Sequence, residues 1–397
     1  MRISFVAGYL DLKGAGSNIS LDILARTLTK EGHDVNVFTL NLERNNCIHK
    51  SVPYTVTPVT DLLPVGESVQ KMVTKLPDLL ETNTDIFHVF DPIFAPIFGV
   101  YRYFGGNIPV VSRLNSYTMF CTNPSLMSGG CHKNCTALDK FRHDNSSSQK
   151  KIAKSPQYLL STLSTPTMVN SIDRLFAQSP SIRDVYREVG VENDRFSVIT
   201  NFYDPSFGGR DYVNNVEIEE NMFNILYVGR LERIKGLDVL LDAIDYCSSD
   251  VIVDIVGDGE TRSSLEKQAL ELSIENQVTF HGWVDHEELP EYYDKSNVFV
   301  HPARWIEPSG RALLEALQYR CPAIVSNIGG PPWIVGEAGY TFEPEDSEEL
   351  SRKIDHLAGD EGAYRSLVAK SEKRVTDFDP EDIISRIENE YVELVDR

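Results

Sequence analysis

Cysteine is scarce in this 397-residue chain. Its six cysteines, at 47, 121, 131, 135, 247 and 321, are too few for a disulfide scaffold. No run reaches the roughly 18 apolar residues that a membrane span needs. The opening "MRISFVAGYL" lacks a long apolar region with a cleavage site, so it reads as a first strand and not a signal peptide. A cytoplasmic protein is the expectation. Low-complexity tracts and short tandem repeats are missing too. Basic charge is lacking where a nucleic acid would need it. Residues 1–203 hold 20 Lys+Arg against 18 Asp+Glu, a net of +2, whereas residues 204–397 hold 18 against 41, a net of −23. The second half would repel a phosphate backbone, which argues against nucleic acid as a partner. Solubility accounts for most of the acid. The near-neutral first half could still approach an anionic or membrane-bound partner.

What is present is ordinary for a globular enzyme, with 41% hydrophobic and 24% charged residues. The length exceeds what one core usually holds, so two domains are expected. "RISFVAG", "HDVNVFTL", "DIFHVF", "IPVVSRL", "RLFAQS" and "FSVITN" read as strands, with a helix pattern over Asn18–Lys30 after the first. After the polar, acidic "RDYVNNVEIEENM" the alternation restarts with "FNILYVG", "VIVDIVGDG", "QVTFHGWV", "NVFVHPA" and "CPAIVSN". Strands separated by helices of this length predict parallel, doubly wound sheets. The expectation is an α/β chain with two Rossmann-like domains, 1–203 and 204–379. A last helix, 380–397, is expected to fold back across the linker.

Three segments point to binding chemistry, each with a plainer alternative. In "GYLDLKGAGSNIS", Gly14 and Gly16 would let backbone N–H groups approach an anion at a helix N-terminus, or would simply form a turn. It is not the G-x-G-x-x-G fingerprint, since Ile19 stands three beyond Gly16. In "LYVGRLERIKGLDVL", Gly229, Arg230 and Lys235 sit beside the carboxyl end of a strand, where open α/β sheets bind ligands. Two cations there make a phosphate clamp or a pair of surface charges. In "WIEPSGRALLEAL", Ser309 and Gly310 lie at a helix mouth that favours an anion. Glu307 beside it makes sense against neutral hydroxyls, and Glu315, two turns in, against a cis-diol such as ribose. A surface acid and an ordinary helical acid remain the alternative.

Taken in order, these segments resemble the retaining GT-B glycosyltransferases of glycosyltransferase family 4. The likeness runs through the Gly loop, "VITNFYD", "VGRLERIKGLDVLLDAI", "IVGDGETRSSLE", "VTFHGWVDHEELPEYYDKSNVFVHPA", the Glu307/Glu315 pair and "CPAIVSNIGGPPWIVGEAGYTFEPED". It implies a GT-B fold, two Rossmann-like domains that close over a nucleotide diphosphate sugar, and transfer with retention without a bound metal. Arg230 and Lys235 would hold the diphosphate and offset charge on the leaving group. Glu307 would touch the sugar, and Gly310, Arg311 and Ala312 would give backbone N–H groups to the sugar or phosphate. Glu315 would hold the ribose, and Trp283 in "GWV" would border the base. Asn201 of "VITNFYD" belongs to the same donor side. Departures are Ser309, where the family usually has Phe nearby, Phe202 in place of a usual Gly, and Asn115-Ser116, where it often has His-Asp. Asn115 can hydrogen-bond a sugar but cannot shuttle a proton.

Two further segments stand apart. "FCTNPSLMSGGCHKNC" resembles a cysteine-bearing insert of some family members, and Cys121, Cys131, Cys135 and His132 would suit a structural zinc, or be plain buried thiols. "KFRHDNSSSQKKIAK" supplies Lys140, Arg142, Lys150, Lys151 and Lys154, either for anionic lipid at the inner face of a membrane or as a solvated loop. The reaction implied is sugar transfer to a hydroxyl of a glycan or lipid-linked acceptor. A 2-epimerase-type isomerase, a non-catalytic sugar-nucleotide-binding subunit and a dinucleotide-dependent oxidoreductase are the alternatives, the last opposed by the missing fingerprint.

Overall fold

The computed structural model describes residues 1–8, 10, 16–39, 52–59, 76–119, 136–143, 147–153, 155, 158–159, 162, 165–192, 194–208 and 222–397. The chain divides into two compact units, Met1–Thr200 with Glu381–Arg397, and Asn201–Pro380. Among the described residues, no helix is long and apolar enough to cross a membrane.

The first unit is built on strands β1 (Arg2–Ala7), β2 (Asp34–Thr39), β3 (Thr55–Pro58), β4 (Ile86–Val89), β5 (Val110–Leu114), β6 (Arg174–Ala177) and β7 (Phe196–Val198). They pair in the order β3-β2-β1-β4-β5-β6-β7, and every described pairing is parallel. Strands β4 and β5 are buried along their whole length, with polar His88, Ser112 and Arg113 included, as strands covered on both faces must be. The order reverses between β1 and β4, which opens a crevice beyond their carboxyl ends at Gly8 and Asp91. The helix Gly16–Lys30 buries Leu21, Leu24, Ala25 and Leu28. The last helix, Pro380–Val395, belongs to this unit from Glu381 onward. Its Tyr391 is buried and hydrogen-bonded to Nδ1 of buried His88 on β4, and its Glu390 pairs with Arg174 on β6.

The second unit contains β8 (Phe223–Val228), β9 (Val251–Val256), β10 (Val278–Gly282), β11 (Val298–His301), β12 (Ala323–Ser326) and β13 (Gly339–Phe342). Their order is β10-β9-β8-β11-β12-β13, again with parallel pairings. Its core packs Ile225, Tyr227, Val253, Ile255, Val298 and Val300 of the sheet against Leu237, Leu240, Leu241 and Ile244 of the helix Leu237–Tyr246. The sheet reverses between β8 and β11, so Gly229-Arg230 and His301-Pro302 emerge side by side.

Each sheet has one strand that the sequence patterning passes over. Both β3, "TVTP", and β13, "GYTF", are edge strands with three residues out of four incompletely buried or exposed, so they carry too few apolar residues to read as strands.

Candidate active site

Lys235 is delivered by the turn that follows β8. That turn is a short 3-10 segment, Arg233–Lys235, ending at Gly236 with φ +68°. A Cβ at 236 would sit 2.0 Å from the Pro302 carbonyl oxygen, so only glycine lets the turn press against the chain leaving β11. Arg304 clamps the same junction. Its guanidinium bonds Asp238 through both Nη atoms at 2.6 Å and donates to the Arg233 carbonyl, and its backbone N–H donates to Ile234 at 2.9 Å. Arg230 lies beside this turn with an exposed side chain paired to Glu232.

Glu307 comes from the loop between β11 and the helix Arg311–Gln318. Its backbone N–H donates to Trp305 and its carbonyl accepts from Gly330 at 2.7 Å. Gly329 is in the left-handed region, φ +75°, where a Cβ would lie 2.6 Å from both the Glu307 nitrogen and oxygen. The carboxylate is thus fixed by backbone, and three side-chain bonds complete it. Lys235 Nζ lies 3.0 Å from Oε1 and 2.9 Å from Oε2, and His301 Nε2 lies 2.8 Å from Oε2. Burial alone would push the Glu307 carboxyl up, but Lys235 and His301 outweigh it and hold the group ionised, well below the usual carboxylate range.

The helix mouth has Gly310 as its N-cap with no capping side chain. Ser309 just before it is buried, and its hydroxyl accepts from Asn201 Nδ2 at 3.2 Å. Glu315 is buried as well, and because the helix starts at Arg311 it lies one turn in, not the two that the sequence suggests. Tyr293 donates its hydroxyl to Oε2 at 2.9 Å, His286 Nε2 lies 3.1 Å from Oε1, and Arg311 Nε lies 3.3 Å from Oε1. The His286 ring packs against Phe207 at a tilt of 32°, with centroids 4.5 Å apart.

Such a site, cations and an ionised acid at a sheet reversal beside a helix mouth, is suited to an anionic sugar compound. Residues 14–207 match the family described as Glycosyltransferase Family 4, and residues 210–374 match Glycosyl transferases group 1. The chain belongs to the family 4, group 1 glycosyltransferases. It is similar to an uncharacterized glycosyltransferase of Methanocaldococcus jannaschii, 24% identical over 369 residues that cover 89% of this chain and 87% of the relative. It is also similar to the D-rhamnosyltransferase WbpZ of Pseudomonas aeruginosa, 33% identical over 201 residues, 47% of this chain and 51% of that protein. Several curated relatives are matched over about half of their length or less. Among solved structures, HepE of Anabaena in complex with UDP-glucose superposes with a TM-score of 0.72 at 18% identity, over 99% of this chain and 100% of that one. Sucrose-phosphate synthase from Thermosynechococcus elongatus gives 0.73 at 21%, over 99% and 98%. The fold of the glycosyltransferase is GT-B, as the alternating strands and helices and the family resemblance imply.

Of the residues that the sequence singles out, Gly229, Arg230, Lys235, Glu307, Ser309, Gly310, Arg311, Ala312, Glu315 and Asn201 all fall within the second unit. Lys235 and Glu307 are in direct contact, as are Asn201 and Ser309, and Arg311 and Glu315. Trp283, just beyond β10, is 65% exposed. Both oxygens of Glu315 already hold side-chain partners, His286 being the most exposed of them, so a diol bound there would share the carboxylate with these groups. In the first unit, Gly16 opens the helix Gly16–Lys30, and Asn115 Nδ2 donates to the Phe90 carbonyl at 3.1 Å. Gly14, Cys121, Cys131, Cys135 and His132 lie outside the described residues. The basic segment, read either as a contact for anionic lipid or as a solvated loop, is described only in part, and Lys154 lies outside the described residues. Residues Ala137–His143 are helical, Lys140 is buried, and Lys151 lies over the Phe141 ring.

Sequence reasoning misses His301, His286, Tyr293, Arg304 and Asp91. Asp91 follows β4 in the crevice of the first unit, where its Oδ2 accepts from the Gly8 N–H and burial pushes its carboxyl up. A polar residue at or just beyond the end of a buried strand, as in "VFVH" and "HVFD", is the signal that could have found two of them.

Proposed function

We propose that this glycosyltransferase moves a sugar from a nucleotide diphosphate sugar to a hydroxyl acceptor, a glycan or lipid-linked saccharide, with retained anomeric configuration. The observation that carries the reading is the ionised Glu307 held between Lys235 and His301 at the carboxyl edge of the second sheet. Lys235 and Arg230 offset charge on the departing nucleoside diphosphate. Glu307 accepts from hydroxyls of the sugar, while backbone N–H groups of Gly310, Arg311 and Ala312 meet the sugar or phosphate at the helix mouth. Glu315 faces the ribose and Trp283 borders the base. The HepE structure that this chain resembles was solved with UDP-glucose, which supports a nucleotide sugar as donor. A relative in Rhizobium meliloti, LpsE, is named for lipopolysaccharide core biosynthesis, which supports a cell-surface glycan as product. Contact with an anionic membrane surface belongs to the same proposal, with exposed Arg142 as one contributor.

The test is incubation with a panel of UDP- and GDP-sugars, first by thermal shift and then with saccharide acceptors. The expected product keeps the donor's anomeric configuration by NMR. An inverted product would overturn retention. Epimerised donor without transfer would assign an isomerase, and binding without turnover on any acceptor a binding subunit.

A further inference from the structure

Glu307 has two kinds of partner, and they differ in how firmly they are held. Lys235 reaches both carboxylate oxygens from a turn, on a flexible four-carbon stem. Its ammonium also lies 5.5 Å over the Trp305 ring. His301 closes β11 and is 5% exposed, with its ring stacked on Phe299 at 6.4 Å and 18°. It touches Oε2 alone.

The imidazole is also oriented chemically. Its Nδ1 is buried with no hydrogen-bond partner among the described residues. Nε2 faces a carboxylate oxygen, which can only accept, so Nε2 must carry the proton. A ring with the proton on Nδ1 would instead set two lone pairs against each other.

A diphosphate arriving at this edge of the sheet carries more negative charge than one carboxylate and competes for the Lys235 ammonium. Once Lys235 turns to it, Glu307 loses its bond at Oε1 and one of two at Oε2. Its side chain is only 13% exposed, so water replaces the lost partner poorly. Hydroxyls of the sugar are the groups that can restore it. We propose that His301 is a positioning residue, the fixed anchor that keeps the Glu307 carboxylate aimed at the sugar while Lys235 exchanges from Glu307 to the diphosphate. The inference rests on the donor-site reading above and deepens it. Sugar and diphosphate recognition become coupled through one lysine.

The experiment compares full-length wild type with His301→Phe, which keeps an aromatic ring without the donor, and His301→Gln, which keeps an N–H of similar reach. Turnover of the nucleotide sugar that wild type uses is measured beside calorimetric affinity for its nucleoside diphosphate alone. His301→Phe is expected to lower kcat at least tenfold while nucleoside diphosphate affinity stays within about twofold, and His301→Gln to regain most of the loss. Equal losses in kcat and affinity, or no recovery in a folded His301→Gln, would overturn the anchor. If His301→Phe does not fold, His301→Gln is read against His301→Asn, whose shorter amide cannot reach; equal activity of the two overturns the proposal. A wild type that neither binds nor turns over any nucleotide sugar would instead refute the donor-site reading itself.

Discussion

Lys235 and Glu307, 72 positions apart in sequence, form a two-pronged ion pair with Nζ 3.0 Å and 2.9 Å from the two carboxylate oxygens. Both side chains are nearly buried, 12% and 13% exposed. A buried pair of this kind is only weakly stabilising against an apolar replacement, so stability alone does not account for it. On the proposed reading each partner takes a second task when a donor arrives.

Glu307→Gln should therefore separate binding from chemistry. Transfer is expected to fall by on the order of a hundredfold, the scale at which a single group acting on the transition state is felt. Affinity for UDP or GDP alone should be unchanged or tighter, because Lys235 is released from its carboxylate. Calorimetry on the purified variant decides the matter; clearly weaker nucleoside diphosphate binding would remove Glu307 from the sugar side.

Lys235→Ala should weaken nucleoside diphosphate binding and turnover together. The loss of one charge-assisted contact corresponds to about 10- to 100-fold in affinity. Full affinity for the free nucleotide in this variant would refute the clamp.

Glu315→Ala should act on stability first. It leaves the Arg311 guanidinium and the Tyr293 hydroxyl without their carboxylate in a buried setting. Breaking such a pair costs about 3–5 kcal/mol. A thermal melt should show the drop before any nucleotide is added, and an unchanged melting temperature would mean that the carboxylate is not structural.

Acid should destabilise both units, in sequence. Burial, then the nearby charge of Arg113, hold the His88 imidazole well below its usual range, so the unfolded chain takes up that proton first. This contribution is complete above the unfolded value of about 6.5 and is lost as pH falls. Glu307 has the same sign, with its contribution complete above the unfolded value of about 4.3 and lost below it. Melting temperature should begin to decline below about pH 6.5, and His88→Gln should remove that upper part of the decline. An identical pH curve in the variant would exclude His88 as its source.

The sheets were legible because buried parallel strands carry dense apolar runs, as in "FNILYV" with one polar residue, Asn224, and "VFVH" with His301 only at its end. The edge strands β3 and β13 escaped because half-exposed strands do not need them. Within the site, Lys235 and Glu307 could be named from their place beside a strand end and a helix mouth. That one grips the other could not be read, since the contact depends on β8 and β11 lying side by side. His286 carries no local pattern, and the polar end of β11 that marks His301 does not say what it touches. They matter because each aims Nε2 at one glutamate, which is a property of packing.

The helix Pro380–Val395 closes the first unit after the whole second unit has been made. On the ribosome, the first sheet must wait with His88 and the β6–β7 edge uncovered until Tyr391 and Glu390 emerge. The intervening unit is contiguous in sequence and is free to fold in that interval. Order of completion is thus the reverse of order of synthesis, and a nascent chain stalled before residue 381 would hold a finished second unit and an unfinished first one.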